Sequence, residues 1–150
     1  GTEEMNIELL TSEKIEEVKT AMYRIFSAPP WNDQWTDHQL HLYVQELMEN
    51  NNSLSLGFRK ESQLIGISLG RIKHWYEGTE YWIDEFGLLP QYQKLGLGRR
   101  FLEEIETFLS ERGIFTMTLL TERAVPAYFF YRKNGFTEKE EQVFFSKIIK

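Results

Sequence analysis

Two short segments of this chain carry residue types at spacings that could do chemistry. The first is Gln93-Lys94-Leu95-Gly96-Leu97-Gly98, a glycine loop set between a strand-like run and an amphipathic helix. Such a loop offers unpaired backbone N–H groups and the positive end of a helix dipole, which suits a phosphate or pyrophosphate. Lys94, Arg99 and Arg100 crowd positive charge around it in a chain whose formal charge is −6, as an anionic ligand would want. The second segment, Ala127-Tyr128-Phe129-Phe130-Tyr131-Arg132-Lys133-Asn134-Gly135-Phe136, lies some thirty residues downstream.

The elements that must position these segments follow from the hydrophobic pattern. Met5 to Leu10 reads as a strand, and Thr11 or Ser12 then caps a helix running to about Phe26. The run Ser27 to Asp33, with Pro29 and Pro30, is a breaker loop. Thr36 opens a second helix with Leu40, Tyr43, Val44 and Leu47 on one face. Ser53 to Arg59 and Leu64 to Trp75 are paired strands about a Lys60–Gln63 turn, and Tyr81 to Leu89 is the next strand. Leu97, Phe101, Ile105 and Phe108 then recur at helical spacing. Phe115 to Leu120 is a strand, Pro126 begins a short helix, and Phe136 to Glu138 with Val143 to Ile149 supply a closing hairpin. The order is β-α-α-β-β-β-α-β-α-β-β, a mixed α/β chain without repeats or linkers.

Composition narrows the function classes. At 150 residues the chain is long enough for one substantial core, and aromatic residues make up 15% of it. Its acidic balance argues against nucleic-acid binding, which needs a positive face. There is no cysteine, which excludes disulfides, thiolate metal sites and a cysteine nucleophile. No apolar run approaches the roughly 20 residues of a membrane span, nor is there an apolar leader stretch, so a cytoplasmic location is expected. His38 and His41 stand three apart on a helix without a third ligand and read as surface histidines, so no metal is expected.

A dinucleotide fold fits the loop poorly, because it needs three glycines spaced G-x-G-x-x-G early in a βαβ unit. Instead Gln93-x-x-Gly96-x-Gly98 resembles the Q/R-x-x-G-x-G/A motif of the GNAT superfamily of acetyl-CoA-dependent N-acetyltransferases. Ala127-x-x-Phe130-Tyr131-x-x-x-Gly135-Phe136 is similar to that family's A-x-x-F-Y-x-x-x-G-F segment. The spacing of the two and the order of elements match the family over nearly the whole chain. The resemblance extends to family members that act on aminoglycosides, the 6'-N-acetyltransferase branch.

The resemblance implies one acetyltransferase domain over residues 1–150, with a central, mostly antiparallel, splayed sheet flanked by helices. It implies acetyl-CoA as co-substrate, its pyrophosphate on the loop Gln93, Lys94, Leu95, Gly96, Leu97, Gly98 and Arg99. The preceding strand carries a bulge that parts two strands, and the pantetheine arm lies in the gap; Phe86, Gly87 and Leu88 match those positions, with the bulge at Gly87. Tyr131 stands where many members place a tyrosine that protonates the departing thiolate. Asp84 and Glu85 lie on the strand beside the thioester and are candidates for the base. Neighbouring strand residues face opposite ways, so counting by twos groups Trp82, Asp84 and Phe86 and favours Asp84, unless a bulge intervenes. Where the family often has a cofactor-contacting asparagine, six residues before Phe130, this chain has Ala124.

Trp31 and Trp35 lie between the first two helices, where members shape the acceptor site. With Trp75, Trp82 and the acidic residues Asp33, Asp37, Glu77 and Glu80 they suggest an aromatic, acidic pocket for a cationic amine. The function expected is direct acetyl transfer to a primary amine, aminoglycoside- or polyamine-like. Acetylation of a protein N-terminus or other peptide, and acyl-CoA binding without turnover as a sensor, are the alternatives. The expected partner is a small-molecule amine, not nucleic acid or a membrane, with a homodimer allowed.

Overall fold

The computed structural model describes residues 4–150, which fall into two compact units, one ending at Leu120 and one spanning residues 121–150. The first unit is built on a five-stranded sheet, β1 (Met5–Leu9), β2 (Ser53–Lys60), β3 (Gln63–Trp75), β4 (Gly78–Leu88) and β5 (Thr116–Leu119), in that spatial order. The pairs from β1 to β4 are antiparallel, and β5 joins β4 in parallel. The sheet is mixed, as the mostly antiparallel expectation has it.

Two helices cover one face and a third covers the other. On the first face are α1 (Ile15–Phe26) and α2 (Asp37–Met48). Val18, Met22 and Ile25 of α1, and Leu40 and Val44 of α2, bury their stripe against Ile67 and Leu69 of β3. A 3-10 turn, Ser12–Lys14, leads into α1. A capping box starts α2, with Thr36 Oγ1 accepting from Gln39 N–H and the Gln39 side chain accepting from Thr36 N–H. On the opposite face, α3 (Leu97–Ser110) inserts Phe101, which stacks on Phe58 at 4.9 Å and on Phe86 at 5.2 Å. An ion-paired clamp ties α1 to β1 and β2. Arg59, nearly buried, donates to both oxygens of Glu8 at 3.1 Å and of Glu17 at 2.7 Å. These charge-assisted bonds hold the Glu17 carboxyl below its usual range, burial opposing them.

The second unit holds α4 (Pro126–Lys133), begun by a proline in its first turn. Phe136 N–H donates back to the Tyr131 carbonyl at 3.0 Å, and the two rings meet edge-on at 5.3 Å. Arg123 and the Tyr128 hydroxyl both reach the Glu138 carboxylate. The closing hairpin expected over Phe136–Glu138 and Val143–Ile149 does not form: these residues make no ladder. A strand exists only where its backbone pairs, and here the apolar residues come in runs, Val143-Phe144-Phe145 and Ile148-Ile149, rather than in alternation. Neither face is then favoured and register is weakly specified. All five side chains are exposed. Among the described residues no helix is long and apolar enough to cross a membrane.

Candidate active site

The site is organised by a bulge in β4. In the β3–β4 ladder Leu69 pairs with Glu85 but Gly70 pairs with Ile83, which leaves Asp84 as the extra residue. Alternation breaks there. Tyr81 and Ile83 face α3, and Trp82 faces α1 and α2, as does its register partner Arg71. After the bulge Glu85, opposite Leu69, lies on the same face as Trp82, while Phe86 turns to α3 and stacks on Phe101. Asp84 also looks toward α2, since Arg71 Nε stands 3.6 Å from its carboxylate. Counting by twos therefore fails at this point: Asp84 and Glu85 share a face, and Phe86 leaves it.

The bulge is not at Gly87, as expected, but three residues earlier. Gly87 pairs regularly with Ile67, and its lack of a side chain has a different cause. A Cβ there would meet Ile25 Cγ2 at 2.7 Å, so the glycine lets α1 approach β4 closely.

Beside the bulge the sheet opens. The parallel ladder of β4 with β5 covers Glu80 to Ile83, paired with Thr116 to Leu119, and goes no further. β4 continues to Leu88 alongside β3, so the two strands part where Asp84 and Glu85 begin. At the end of β4, Pro90–Tyr92 form a 3-10 turn and the glycine loop leads into α3. Gly96 takes φ +77° as the residue before the helix, a left-handed conformation that a side chain would strain. Lys94 also has positive φ, +62°. The Gln93 side chain donates to the Leu88 carbonyl at 3.0 Å and braces the loop against the strand. Arg100 is the first residue to donate into the new helix, to Gly96 O at 3.3 Å. The N–H groups that precede it, at the positive end of α3, lie on an exposed turn. Arg99 is drawn along the helix to Glu103, at 3.1 Å.

Facing the two carboxylates from α2 and the loop before it are Tyr43, Glu46 and Asp33. Glu85 is half-buried, and desolvation first, then the charges of Asp33 and Asp84, push its carboxyl up to about 7. Burial raises Asp84 as well, with Arg71 pulling down and Glu46 pushing up. The Tyr43 hydroxyl is held well above the ordinary tyrosine range by burial and by Glu85, Asp84 and Glu46. Trp35 stacks on Tyr43 at 5.3 Å with its ring planes 12° apart, and its Nε1 donates to Asp33 at 3.3 Å. An aromatic wall thus stands beside an acidic floor.

The tryptophans separate. Trp35 and Trp82 lie near the carboxylates, and Lys73 Nζ sits 4.2 Å from the Trp82 ring centroid. Trp31 packs against Phe26 at 5.9 Å at the end of α1. Trp75 is at the tip of the β3–β4 hairpin against Tyr76, about 20 Å along the strand from Leu69. Of the four acidic residues grouped by sequence only Asp33 reaches this cluster. Asp37 pairs with Lys19, Glu80 accepts from Trp82 Nε1, and Glu77 stays exposed at the hairpin tip. Tyr43, Glu46 and Arg71 were not legible as site residues. Tyr43 fits an apolar stripe, and Arg71 enters only through its register with Trp82. Tyr131, on α4, packs between Phe130 and Phe136. Ala124 lies exposed just before that helix.

A model described as Acetyltransferase (GNAT) family matches residues 15–136. In fold the chain is similar to aminoglycoside N-acetyltransferase AAC(6')-Iy in complex with CoA, at 16% identity and a TM-score of 0.74 over 98% of this chain and 97% of that one. It is similar to the aminoglycoside acetyltransferase meta-AAC0020 from an uncultured soil metagenomic sample, in complex with sisomicin, at 20% identity and a TM-score of 0.75 over 97% of each chain. A possible acetyltransferase from Clostridium difficile 630 superposes with a TM-score of 0.81 at 12% identity, over 97% of this chain and 99% of that one. No curated protein matches the chain in sequence.

Proposed function

The chain belongs to the GNAT acetyltransferase family and is an acetyl-CoA-dependent N-acetyltransferase; from that premise we propose that it acetylates a small cationic primary amine, aminoglycoside- or polyamine-like, directly. The observation that carries this reading is the bulge at Asp84. It turns two adjacent carboxylates toward one face, beside Asp33 and Glu46, where β4 parts from β5. The family match crosses both compact units, which supports reading the whole chain as one acetyltransferase domain.

The residues present suit acetyl-CoA. The exposed turn from Lys94 to Arg99 offers N–H groups to a pyrophosphate at the positive end of α3, and Gln93 holds that turn to the strand. Phe86, Gly87 and Leu88 are the stretch of β4 along which the pantetheine arm would run. The co-substrate supplies an acyl group activated as a thioester.

The protein's own groups handle the amine and the protons. An amine reaches the site as an ammonium, and the carboxylates of Asp84, Asp33 and Glu46 favour that cation. Attack needs the neutral amine, so a proton must leave first. Glu85, with its carboxyl raised to about 7, can take it near neutral pH. The nitrogen would then form its bond to the carbonyl carbon as the carbon–sulfur bond breaks, Tyr131 would give a proton to the leaving sulfur, and the second proton that the new amide nitrogen sheds would return through solvent to restore the tyrosine. Trp35 and Trp82 supply faces for the cation, with Trp31 and Trp75 further out.

An amine panel with acetyl-CoA tests the acceptor. Saturable coenzyme A release with polyamines or aminoglycosides, and little with neutral amino acids, is the expected outcome. Turnover confined to peptide N-termini or neutral amines overturns the cationic acceptor, and none at all favours a non-catalytic acyl-CoA sensor.

A further inference from the structure

β3 lays two cations along the face that β4 presents to α1 and α2. Arg71 stands opposite Trp82 in register and reaches the Asp84 carboxylate at 3.6 Å. Lys73, two residues further along the same face, holds its ammonium 4.2 Å from the Trp82 ring centroid. The indole is fixed beneath it, because Trp82 Nε1 donates to Glu80 at 2.9 Å. A carboxylate and an indole face are two of the groups best suited to hold an ammonium. Each is covered here by a cation of the chain itself.

We infer that Lys73 occupies an ammonium subsite of the acceptor site, as an internal stand-in that an acceptor with a second cationic group displaces. This rests on the cationic-amine reading above. Asp33, Glu46, Asp84 and Glu85 form a carboxylate cluster with Arg71 beside Asp84, and a singly charged amine bound there has little to gain by pushing Lys73 aside. A polycation brings its second charge to the indole while its reacting amine goes to the carboxylates. Lys73 swings on a flexible stem from a hairpin strand, and a half-buried cation–π contact is weak enough to exchange. Lys73 would thus set selectivity between mono- and polyamines without touching the reacting atoms.

The test compares the parent with Lys73→Met, which keeps the apolar stem, and Lys73→Arg, which keeps a cation. Calorimetry on the coenzyme A-loaded protein measures the affinities for spermidine and for propylamine, and steady-state kinetics gives the KM of each. Lys73→Met should tighten spermidine roughly two- to fivefold, the scale of a weak cation–π contact, and leave propylamine and the KM of acetyl-CoA unchanged. Lys73→Arg should behave as the parent. Equal tightening of both amines would reveal only a long-range charge effect and overturn the subsite, as would unchanged spermidine affinity. If the parent acetylates amines and Lys73→Met keeps the parent's spermidine-to-propylamine ratio, this inference alone fails. If neither protein binds or acetylates any amine, the cationic-amine reading fails with it.

Discussion

Asp84 and Glu85, adjacent on one strand, present their carboxylates to the same face of the sheet. An extra residue in the β3–β4 ladder makes this so, since Leu69 pairs with Glu85 and Gly70 with Ile83. The two groups are then unequal. Arg71 stabilises the charge on Asp84, whereas Glu85 has burial and two neighbouring anions against its ionisation.

That inequality divides their roles. With Glu85 as base, kcat/KM should rise with pH through a limb near 7, the value to which its carboxyl is raised. Glu85→Gln should lose that limb and fall by about 10²–10⁴-fold, the usual contribution of a positioned base. Asp84→Asn should keep the limb, shifted to lower pH by removal of a neighbouring negative charge, and chiefly raise the acceptor's KM. Identical pH–rate profiles for both variants and the parent would remove the base from the mechanism.

The same carboxylate should show in stability. Its folded-state pKa lies above the unfolded value, so the folded protein binds the proton more tightly and loses stability as pH rises from about 4.5 to about 7. Glu85→Gln should match the parent in denaturant melts at pH 4. At pH 8 it should be more stable by about 1–3 kcal/mol. A constant difference across that range would mean that Glu85 is not strained by ionisation.

Tyr131→Phe removes one hydroxyl from a ring packed between Phe130 and Phe136. Turnover should drop by about 10²–10⁴-fold, the usual contribution of a positioned general acid, while calorimetric affinity for acetyl-CoA stays near the parent's. Unchanged turnover, with chemistry shown to be rate-limiting, would take Tyr131 out of the reaction.

Gly87→Ala puts a methyl group 2.7 Å from Ile25 Cγ2. Overpacking of that kind costs about 1–3 kcal/mol, and Ile25→Ala in the same chain should make the glycine substitution nearly neutral. Additive effects of the two substitutions in denaturant melts would mean that α1 does not press on β4 at this point.

Much of the fold was legible because local signals agreed with burial. The capping residue Thr36, the stripe of Val18, Met22 and Ile25, and the glycine loop before Leu97 each say the same thing at short and long range. The exceptions share a cause, which is that backbone pairing is not written in side-chain pattern. The period-two count along β4 has no way of showing an inserted residue, so the bulge fell on Gly87, the one position whose glycine looked suggestive. Tyr43 and Glu46 sit three apart on α2, but only the bulge brings Asp84 and Glu85 round to meet them. At the other end, Phe144 to Ile149 have the composition of a strand without a ladder to join.

Calorimetric titration of the purified protein with acetyl-CoA and with free coenzyme A tests the central claim most directly. The glycine loop and the parted strands predict one site per chain, with micromolar-range affinity for both. No detectable binding of either would leave Gln93 to Gly98 as a turn that starts a helix, and would contradict the acetyltransferase reading of this site.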